Sequence, residues 1–428
     1  MKEKISSFHL SDFIHTKGTS VQIYGPETLD REGNIISFAD QAAIVTHYLK
    51  SNDKDKVYYE DKGKELIGAW LDWCLLNDKF KGMVGESLDA FTGFLFKDFN
   101  KAPFQPQENP TFKFIDLFAG IGGFRLAMQD CGGECVYSSE WDDNAKQTYF
   151  HNFGEVPFGD ITKESNKKLI PNGFDILCAG FPCQAFSIAG YRKGFEDTRG
   201  TLFFDVAEII RRKRPKAVYL ENVKNLYTHD NGKTFAVIKG TLEELGYVVY
   251  HKVMNAMEYA NVPQNRERIF IVCFDPIQVP NHTEFSFPEK EDLTRTIADC
   301  IDYSITDKSY FYRENFPHYD ILINDIKSKD TIYQWRRQYV RENKSYVCPT
   351  LTANMGTGGH NVPLILTNNG VRKLTPKECI NFQGYPKGYT FPQTIAKSAM
   401  YKQAGNSVVV PLITKVCKQI VSVILDNS

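Results

Sequence analysis

Three things are scarce in this 428-residue sequence, and each scarcity excludes a class of protein. An excess of one charge is the first, since 51 Lys and Arg stand against 52 Asp and Glu. That excludes a histone-like binder that holds nucleic acid by bulk charge, but not a local basic groove. Patterned cysteine is the second. The ten Cys include no CxxC pair, and the nearest spacings are Cys131 to Cys135 and Cys178 to Cys183. Neither a zinc ribbon nor a disulfide framework is expected, no metal is called for, and most thiols should be buried and reduced. Long apolar runs are the third. No stretch of about 18 apolar residues occurs, and the opening MKEKISSFHLSDF has neither an apolar core nor a small-residue cleavage site. The expectation is a cytoplasmic protein with no membrane partner.

What is present is an ordinary globular mixture, 42% apolar and 24% charged, sufficient for two to three domains. Charge is segregated: residues 1–110 carry 13 Lys and Arg against 17 Asp and Glu, while residues 372–428 carry 8 against 2. The run KAPFQPQENP from Lys101 to Pro110 holds three prolines and little to bury. It reads as an extended linker and sets a boundary near residue 110.

Residues 1–110 are expected to form a mostly helical N-terminal module of unknown role, because 38–50 and 64–77 have helical apolar spacing and Trp70 and Trp73 supply a small core. From 111 to 274, short apolar runs alternate with helix-like stretches: Phe112–Phe118, Cys135–Ser139, Phe174–Ala179, Ala217–Leu220, Tyr247–Val253 and Ile269–Phe274. This is the pattern of an α/β domain with a doubly wound, mainly parallel sheet. The rhythm stops over 275–370, which reads as a smaller, loop-rich domain. It resumes in 371–428, whose closing VVVPLITKVCKQIVSVIL needs a partner surface, most simply the sheet.

Ligands on such sheets sit at the carboxyl ends of the strands, and three loops there carry chemistry. The first is DLFAGIGGF, Asp116 to Phe124. A dinucleotide fingerprint would want Gly120, Gly122 and a third glycine at 125, but 125 is Arg. Glu140 follows the second strand, where a carboxylate can take ribose hydroxyls, and Trp141 offers a face for adenine. Asp160 in FGDIT is a suitable acceptor for an adenine amino group. Together they describe a nucleoside cofactor that makes no pyrophosphate demand.

The second loop is GFPCQAFSIAGYRKGFEDTRG. Cys183 follows Pro182 at a strand's carboxyl end and precedes a Gly-, Ser- and Arg-containing stretch; that is a nucleophile's setting, set against the plain alternative of a buried core thiol. The third loop is ENV, Glu221 to Val223. A carboxylate ending an apolar strand beside a candidate thiolate suits a general acid, with helix capping as the alternative for it or Asn222. In NVPQNRERIF, Gln264, Arg266 and Arg268 alternate into a strand and either clamp an anion or oxygen near the thiol or form a solvated strand end.

In order, DLFAGIGGFRLA, EWD, GDIT, GFPCQAFSIAG, RGTLFFDVAEII, ENV, QNRERIF, RKLTPKECINFQGYP and QAGNSVVVPLI resemble the full motif series of the cytosine-5 DNA methyltransferases, over residues 112–274 and 372–420. The resemblance implies S-adenosylmethionine, released as S-adenosylhomocysteine, in a site formed by Asp116, Phe118, Gly120, Gly122, Glu140, Trp141, Asp160, Ile161, Pro182, Leu202, Asn406 and Val408. It implies Cys183 as the nucleophile that adds to cytosine carbon 6, Glu221 as the group offsetting charge at ring nitrogen 3, Arg266 positioning the base carbonyl, and Asn222, Gln264 and Arg268 supporting them. The base must leave the helical stack, with Arg192, Lys193 and Arg199 free to meet phosphates.

Sequence reading is expected in 275–370, from Arg336, Arg337, Arg341 and Lys344 and from Thr350, Thr352 and Asn354. The stretch TLTANMGTGGHNVP is similar to the target loops of bacterial enzymes that methylate GGCC-like, GGNCC or GGWCC sites. The implied protein is a monomeric restriction-modification methyltransferase acting on double-stranded DNA, its cognate endonuclease a genetic rather than physical partner. A tRNA methyltransferase of the same fold, a nicotinamide dehydrogenase and a non-catalytic DNA-binding module are the alternatives. The second lacks its pyrophosphate glycine, and Cys183 with Glu221 speak against the third.

Overall fold

The computed structural model describes residues 14–17, 20–23, 28–29, 35–51, 59–76, 102–182, 202–357 and 361–426. Near the N-terminus two short antiparallel strand pairs precede α1 (Phe38–Lys50) and α2 (Glu60–Leu76). The helical spacing of 38–50 is realised over the same residues. Ser37 caps α1, its hydroxyl accepting from the Asp40 N–H.

The apolar runs after residue 111 build one six-stranded sheet: β1 (Phe112–Leu117), β2 (Gly133–Ser139), β3 (Ile176–Ala179), β4 (Ala217–Val223), β5 (Val248–Asn255) and β6 (Glu267–Phe274). Their order is β2-β1-β3-β4-β6-β5. The first four are parallel, and β6 is antiparallel to both β4 and β5. The reversal follows from length, because the connection from 256 to 266 is too short for a parallel crossover. β3 is buried throughout, as is β1 from Phe114 to Leu117, which requires cover on both faces.

That cover comes from α3 (Gly123–Asp130), α4 (Asp143–Phe153), α5 (Leu202–Lys213), α6 (Lys233–Glu244), α7 (Pro376–Asn381), α8 (Lys397–Asn406) and α9 (Val410–Leu425). One face joins Phe114, Phe124, Tyr149 and Phe270 to Ile413, Val416 and Ile420 of α9. The expected partner of the apolar tail is thus the sheet. The other face joins Ile115, Leu117, Leu177, Val206 and Ile238 to Ala43 and Val45 of α1 and Ile67 and Trp70 of α2. The N-terminal helices therefore share a core with the sheet.

A second sheet, antiparallel and ordered β8-β7-β9-β10, is made of β7 (Tyr333–Trp335), β8 (Val340–Glu342), β9 (Val362–Thr367) and β10 (Gly370–Lys373). It has its own small core of Leu322, Ile326, Tyr333, Trp335, Val362, Leu364 and Val371. Val279, Phe285, Ile297 and Cys300 belong instead to the core of the large sheet, so the stretch just after residue 275 packs with the strands before it, and the small sheet runs past residue 370.

Candidate active site

The glycine turn between β1 and α3 is shaped by backbone geometry that the sequence can satisfy only with small residues. Gly120 and Gly122 have φ of +56° and +79°, the left-handed region that favours glycine. At Gly122 a Cβ would also fall 2.3 Å from Phe153 Cε2. Phe118, which is not glycine, is held at φ +57°, an uncommon conformation that marks a functional turn. The Ala119 N–H donates to the Ser139 carbonyl at 2.9 Å, tying this turn to the end of β2.

Glu140 sits where that strand ends and is nearly buried. Its Oε2 accepts from the Gly120 N–H, and its Oε1 from the N–H groups of Trp141 and Asp142, all at 2.8 Å. Burial pushes this carboxyl up, and the three N–H groups oppose the shift. The carboxylate is therefore locked in place and welds the glycine turn to β2. Trp141 is 76% exposed beside it.

Asp160 lies one step further along the same edge, its Oδ1 accepting from the N–H and hydroxyl of Thr162 at 3.0 and 2.8 Å. Ile161 is buried. Leu202 opens α5, and Pro182 is exposed at the end of the described stretch after β3. From the far end of the chain, Val408 comes against the turn, since a Cβ on Gly123 would meet Val408 Cγ2 at 2.5 Å, and Asn406 lies exposed at the end of α8. Of the residues expected from sequence, Phe118, Gly120, Gly122, Glu140 and Val408 lie at the turn after β1, and Asp160 and Ile161 follow the segment bridged to the end of β2; Pro182, Leu202 and Asn406 lie in other segments, after β3, at the start of α5 and at the end of α8.

Asp116 is fully buried, and among the described residues neither carboxylate oxygen has a hydrogen-bond partner. Burial pushes its pKa up to about 8, with the Arg125 guanidinium opposing and Glu140 adding to the rise. Arg125, at the position where a dinucleotide fold needs glycine, is itself buried and donates to Glu155 and to the Tyr149 hydroxyl. The sequence showed only that glycine was missing there. Gln129 one turn later, which accepts from Arg125 Nε, is a visible signal that this helix face is polar inside.

On β4, Glu221 is 8% exposed. The Nε of Arg268 on β6 lies 3.1 Å from its Oε1, a contact made possible because the antiparallel register sets Phe270 opposite Glu221 and Arg268 opposite Val223. Burial raises the Glu221 pKa, and the guanidinium groups of Arg268 and Arg266 pull it back down. Asn222 donates from Nδ2 to the Phe181 carbonyl at 2.7 Å, so it pins the chain just before Pro182. Cys183, Arg192, Lys193 and Arg199 lie outside the described residues.

Arg266 is near enough to act on the charge of Glu221, but its hydrogen bonds go elsewhere. Its guanidinium donates to the carbonyls of Leu351, Gly405 and Ser407 at 2.9, 3.1 and 2.5 Å, and it is 2% exposed. Gln264 likewise donates to the Phe382 carbonyl at 2.7 Å and accepts from the Leu351 N–H. The alternation that suggested one side holds for sequence, but only Arg268 lies within β6. The two residues before that strand are used to stitch it to the C-terminal segment.

Over the small sheet, Arg337, Arg341 and Lys344 are exposed, and Tyr339 and Tyr346 beside them are 55% and 64% exposed. The sequence reading missed these two aromatics. Arg336 is half-buried and donates to Asn361 Oδ1. Thr350 donates to the Asn265 carbonyl at 2.6 Å, and Thr352 to Asn354 Oδ1 at 2.8 Å. A Cβ on Gly405 would meet the Thr352 carbonyl carbon at 2.2 Å, so this loop crosses the C-terminal segment at backbone contact.

Residues 112–422 match the C-5 cytosine-specific DNA methylase family. The chain belongs to that family. The methylase is 50% identical over 312 residues to the type II methyltransferase M.Bsp6I of Bacillus sp. (strain RFL6), a match covering 72% of this chain and 98% of the relative. It is 45% identical over 311 residues to M.HhaI of Haemophilus parahaemolyticus, covering 70% and 90%. Among solved structures, the crystal structure of the S. pombe Dnmt2 methyltransferase aligns with TM-score 0.54 at 16% identity, over 74% of this chain and 98% of that one. That likeness concerns the fold. The methylase is thus a DNA (cytosine-5-)-methyltransferase, and enzymes of its family use S-adenosylmethionine.

Proposed function

We infer that the methylase acts on a cytosine rotated out of duplex DNA, as the modification half of a type II restriction-modification pair. The observation that supports this best is the Glu221–Arg268 contact at 3.1 Å, beside an Asn222 that fixes the Phe181 carbonyl two residues before Cys183.

Carbon 5 of cytosine is a weak nucleophile, so a thiolate must first bond to carbon 6. Cys183 forms that bond, and the electron pair moves through the ring toward nitrogen 3. Glu221, whose carboxyl is pushed up by burial and pulled back by Arg268 and Arg266, is the group that would pass a proton to nitrogen 3. Arg268 orients Glu221 through Nε, its Nη1 donates to the Glu267 carbonyl at 2.8 Å, and its remaining N–H groups would serve the base carbonyl, the task sequence had given to Arg266. Carbon 5 would then take the methyl group as its bond to the sulfonium sulfur breaks and leaves a neutral thioether; water would accept the carbon 5 proton, nitrogen 3 would return its proton to Glu221, and elimination of the Cys183 sulfur would restore the aromatic base and the free enzyme.

The fit of the cofactor site supports an adenosyl sulfonium rather than a dinucleotide. Arg125 fills the place of the phosphate-cradling glycine, and the locked Glu140 and Asp160 offer oxygens to ribose and adenine. S-adenosylmethionine supplies, when bound, an electrophilic methyl group. Phe118, Gly120, Glu140, Trp141, Asp160, Leu202 and Val408 would hold it.

Arg337, Arg341 and Lys344, with Tyr339 and Tyr346, would meet the duplex and read a G/C-rich palindrome, GGNCC-like in the sequence reading. The test is a duplex carrying 5-fluorocytosine at the target position, with S-adenosylmethionine. The expected result is a denaturation-resistant protein–DNA adduct in the wild type and none in Cys183→Ser. Turnover of the normal duplex by Cys183→Ser would remove the covalent step.

A further inference from the structure

The family match begins at residue 112, yet α1 is built into the cofactor side of the sheet. β2 is an edge strand, and the chain leaving α4 returns along it through a single bridge between Ser139 and Phe158. Phe158 donates its N–H to the Ser138 carbonyl at 2.8 Å and accepts from the Glu140 N–H at 2.9 Å. These two bonds set the position of Asp160, two residues on, relative to Glu140. An extended segment held by so few bonds is a low-stability element unless something covers its outer side.

The cover is α1. Its Thr46 hydroxyl accepts from the Val156 N–H at 2.9 Å and donates to the Ala42 carbonyl at 2.8 Å. Asp40 Oδ1 accepts from the Gly159 N–H at 3.2 Å, while its Oδ2 accepts from the Ser37 hydroxyl at 2.6 Å. Between these anchors the Phe158 ring is buried against Tyr137, stacked at 4.6 Å, and against His47 at 4.8 Å. At the head of the segment, buried Glu155 takes Arg125 from α3 and lies 3.1 Å from His47 Nε2. Gly159 leaves little room for a side chain, since a Cβ there would sit 3.2 Å from Asp40 Oδ1 and 3.1 Å from Asn166 Nδ2. From Glu155 to Gly159 the segment is thus clamped between the sheet and a helix more than 100 residues earlier in sequence.

We propose that α1 is part of the cofactor-binding apparatus, with Asp40 and Thr46 as positioning residues that hold 156–160 so that Asp160 and Ile161 meet the adenosyl group of S-adenosylmethionine. The proposal rests on the reading of Asp160 as an adenine acceptor. It assigns the N-terminal helices a task in cofactor affinity, distinct from covering apolar surface. By linkage, the cofactor must in turn stabilise the docking of α1.

The test uses the full chain. Thr46→Val keeps the volume and removes the acceptor, and Asp40→Ala removes the second anchor. The double variant is expected to bind S-adenosylhomocysteine about tenfold more weakly by calorimetry, two hydrogen bonds being lost. The change should appear in the KM for S-adenosylmethionine rather than in kcat, and Thr46→Ser with Asp40→Asn, which keep the acceptors, should restore it. In wild type, S-adenosylhomocysteine should slow amide exchange across 38–50. Unchanged affinity in the double variant, or unchanged exchange in 38–50, would overturn the proposal. Should the double variant fail to fold, Thr46→Val alone decides the affinity arm. Asp160→Ala separates the two readings: if it leaves S-adenosylhomocysteine affinity intact, the adenine reading fails; if it weakens binding while the α1 variants do not, the α1 proposal fails.

Discussion

The cofactor end of the large sheet and the exposed face of the small sheet are built on opposite plans. At the cofactor end Glu140 accepts three backbone N–H groups, Asn222 pins a carbonyl and Arg125 is buried against Glu155. On the small sheet Arg337, Arg341 and Lys344 stand exposed among exposed tyrosines. Groups that must hold one geometry for bond making are fixed before any ligand arrives. Groups that meet a duplex keep their solvation and can adjust to it. The first region should therefore respond to mutation in rate or stability, and the second in site choice and salt dependence.

The sharpest test of that contrast sets Glu221 and Arg268 against Arg266. Glu221→Gln is expected to lower kcat by about 10²–10⁴, with melting nearly unchanged. Arg268→Leu should follow it in kcat. Arg266→Leu should instead cost about 3–5 kcal/mol of stability in denaturant melts, because three buried carbonyls lose their donor. If Arg266→Leu melts normally while losing only kcat, the two arginines have been given each other's tasks.

Smaller effects are expected on the reading surface. Arg337→Ala or Arg341→Ala should each reduce the slope of log affinity against log salt by about one for a phosphate contact, or relax one base position by about 1–3 kcal/mol for a base contact. Cofactor affinity should stay constant, and a change in it would break the division between the regions. Smallest is a pH effect at Asp116. Its native carboxyl keeps a proton that the unfolded chain releases near 3.8, so the stability it contributes is complete below that value and is lost as pH rises through about 8. Asp116→Asn should flatten this decline between pH 4 and 9 in thermal melts.

Much of the first region was legible in sequence because its chemistry demands particular residues. Gly122 has both a positive φ and no room for a Cβ, and Glu140 closes the turn twenty residues later, so residue type and spacing carry the geometry. The runs of β3, β4 and β6 were legible because strands buried on both faces are continuously apolar. The hydrogen bonds of Arg266 were not legible for a physical reason: alternation assigns sides only within a strand, and β6 starts at Glu267. The contacts of Asp40 and Thr46 were hidden because they join backbone N–H groups more than 100 residues away, and a backbone donor leaves no mark in sequence. Tyr339 and Tyr346 were overlooked because an aromatic beside arginines reads as easily as core.

The central claim is that this chain methylates carbon 5 of cytosine in duplex DNA through Cys183. Bisulfite sequencing of DNA from cells expressing the wild type or Cys183→Ser tests it most directly. The account predicts conversion-resistant cytosines at one recurring palindromic sequence with the wild type and none with the variant. The same protected cytosines in both, or none in either from folded protein, would contradict it.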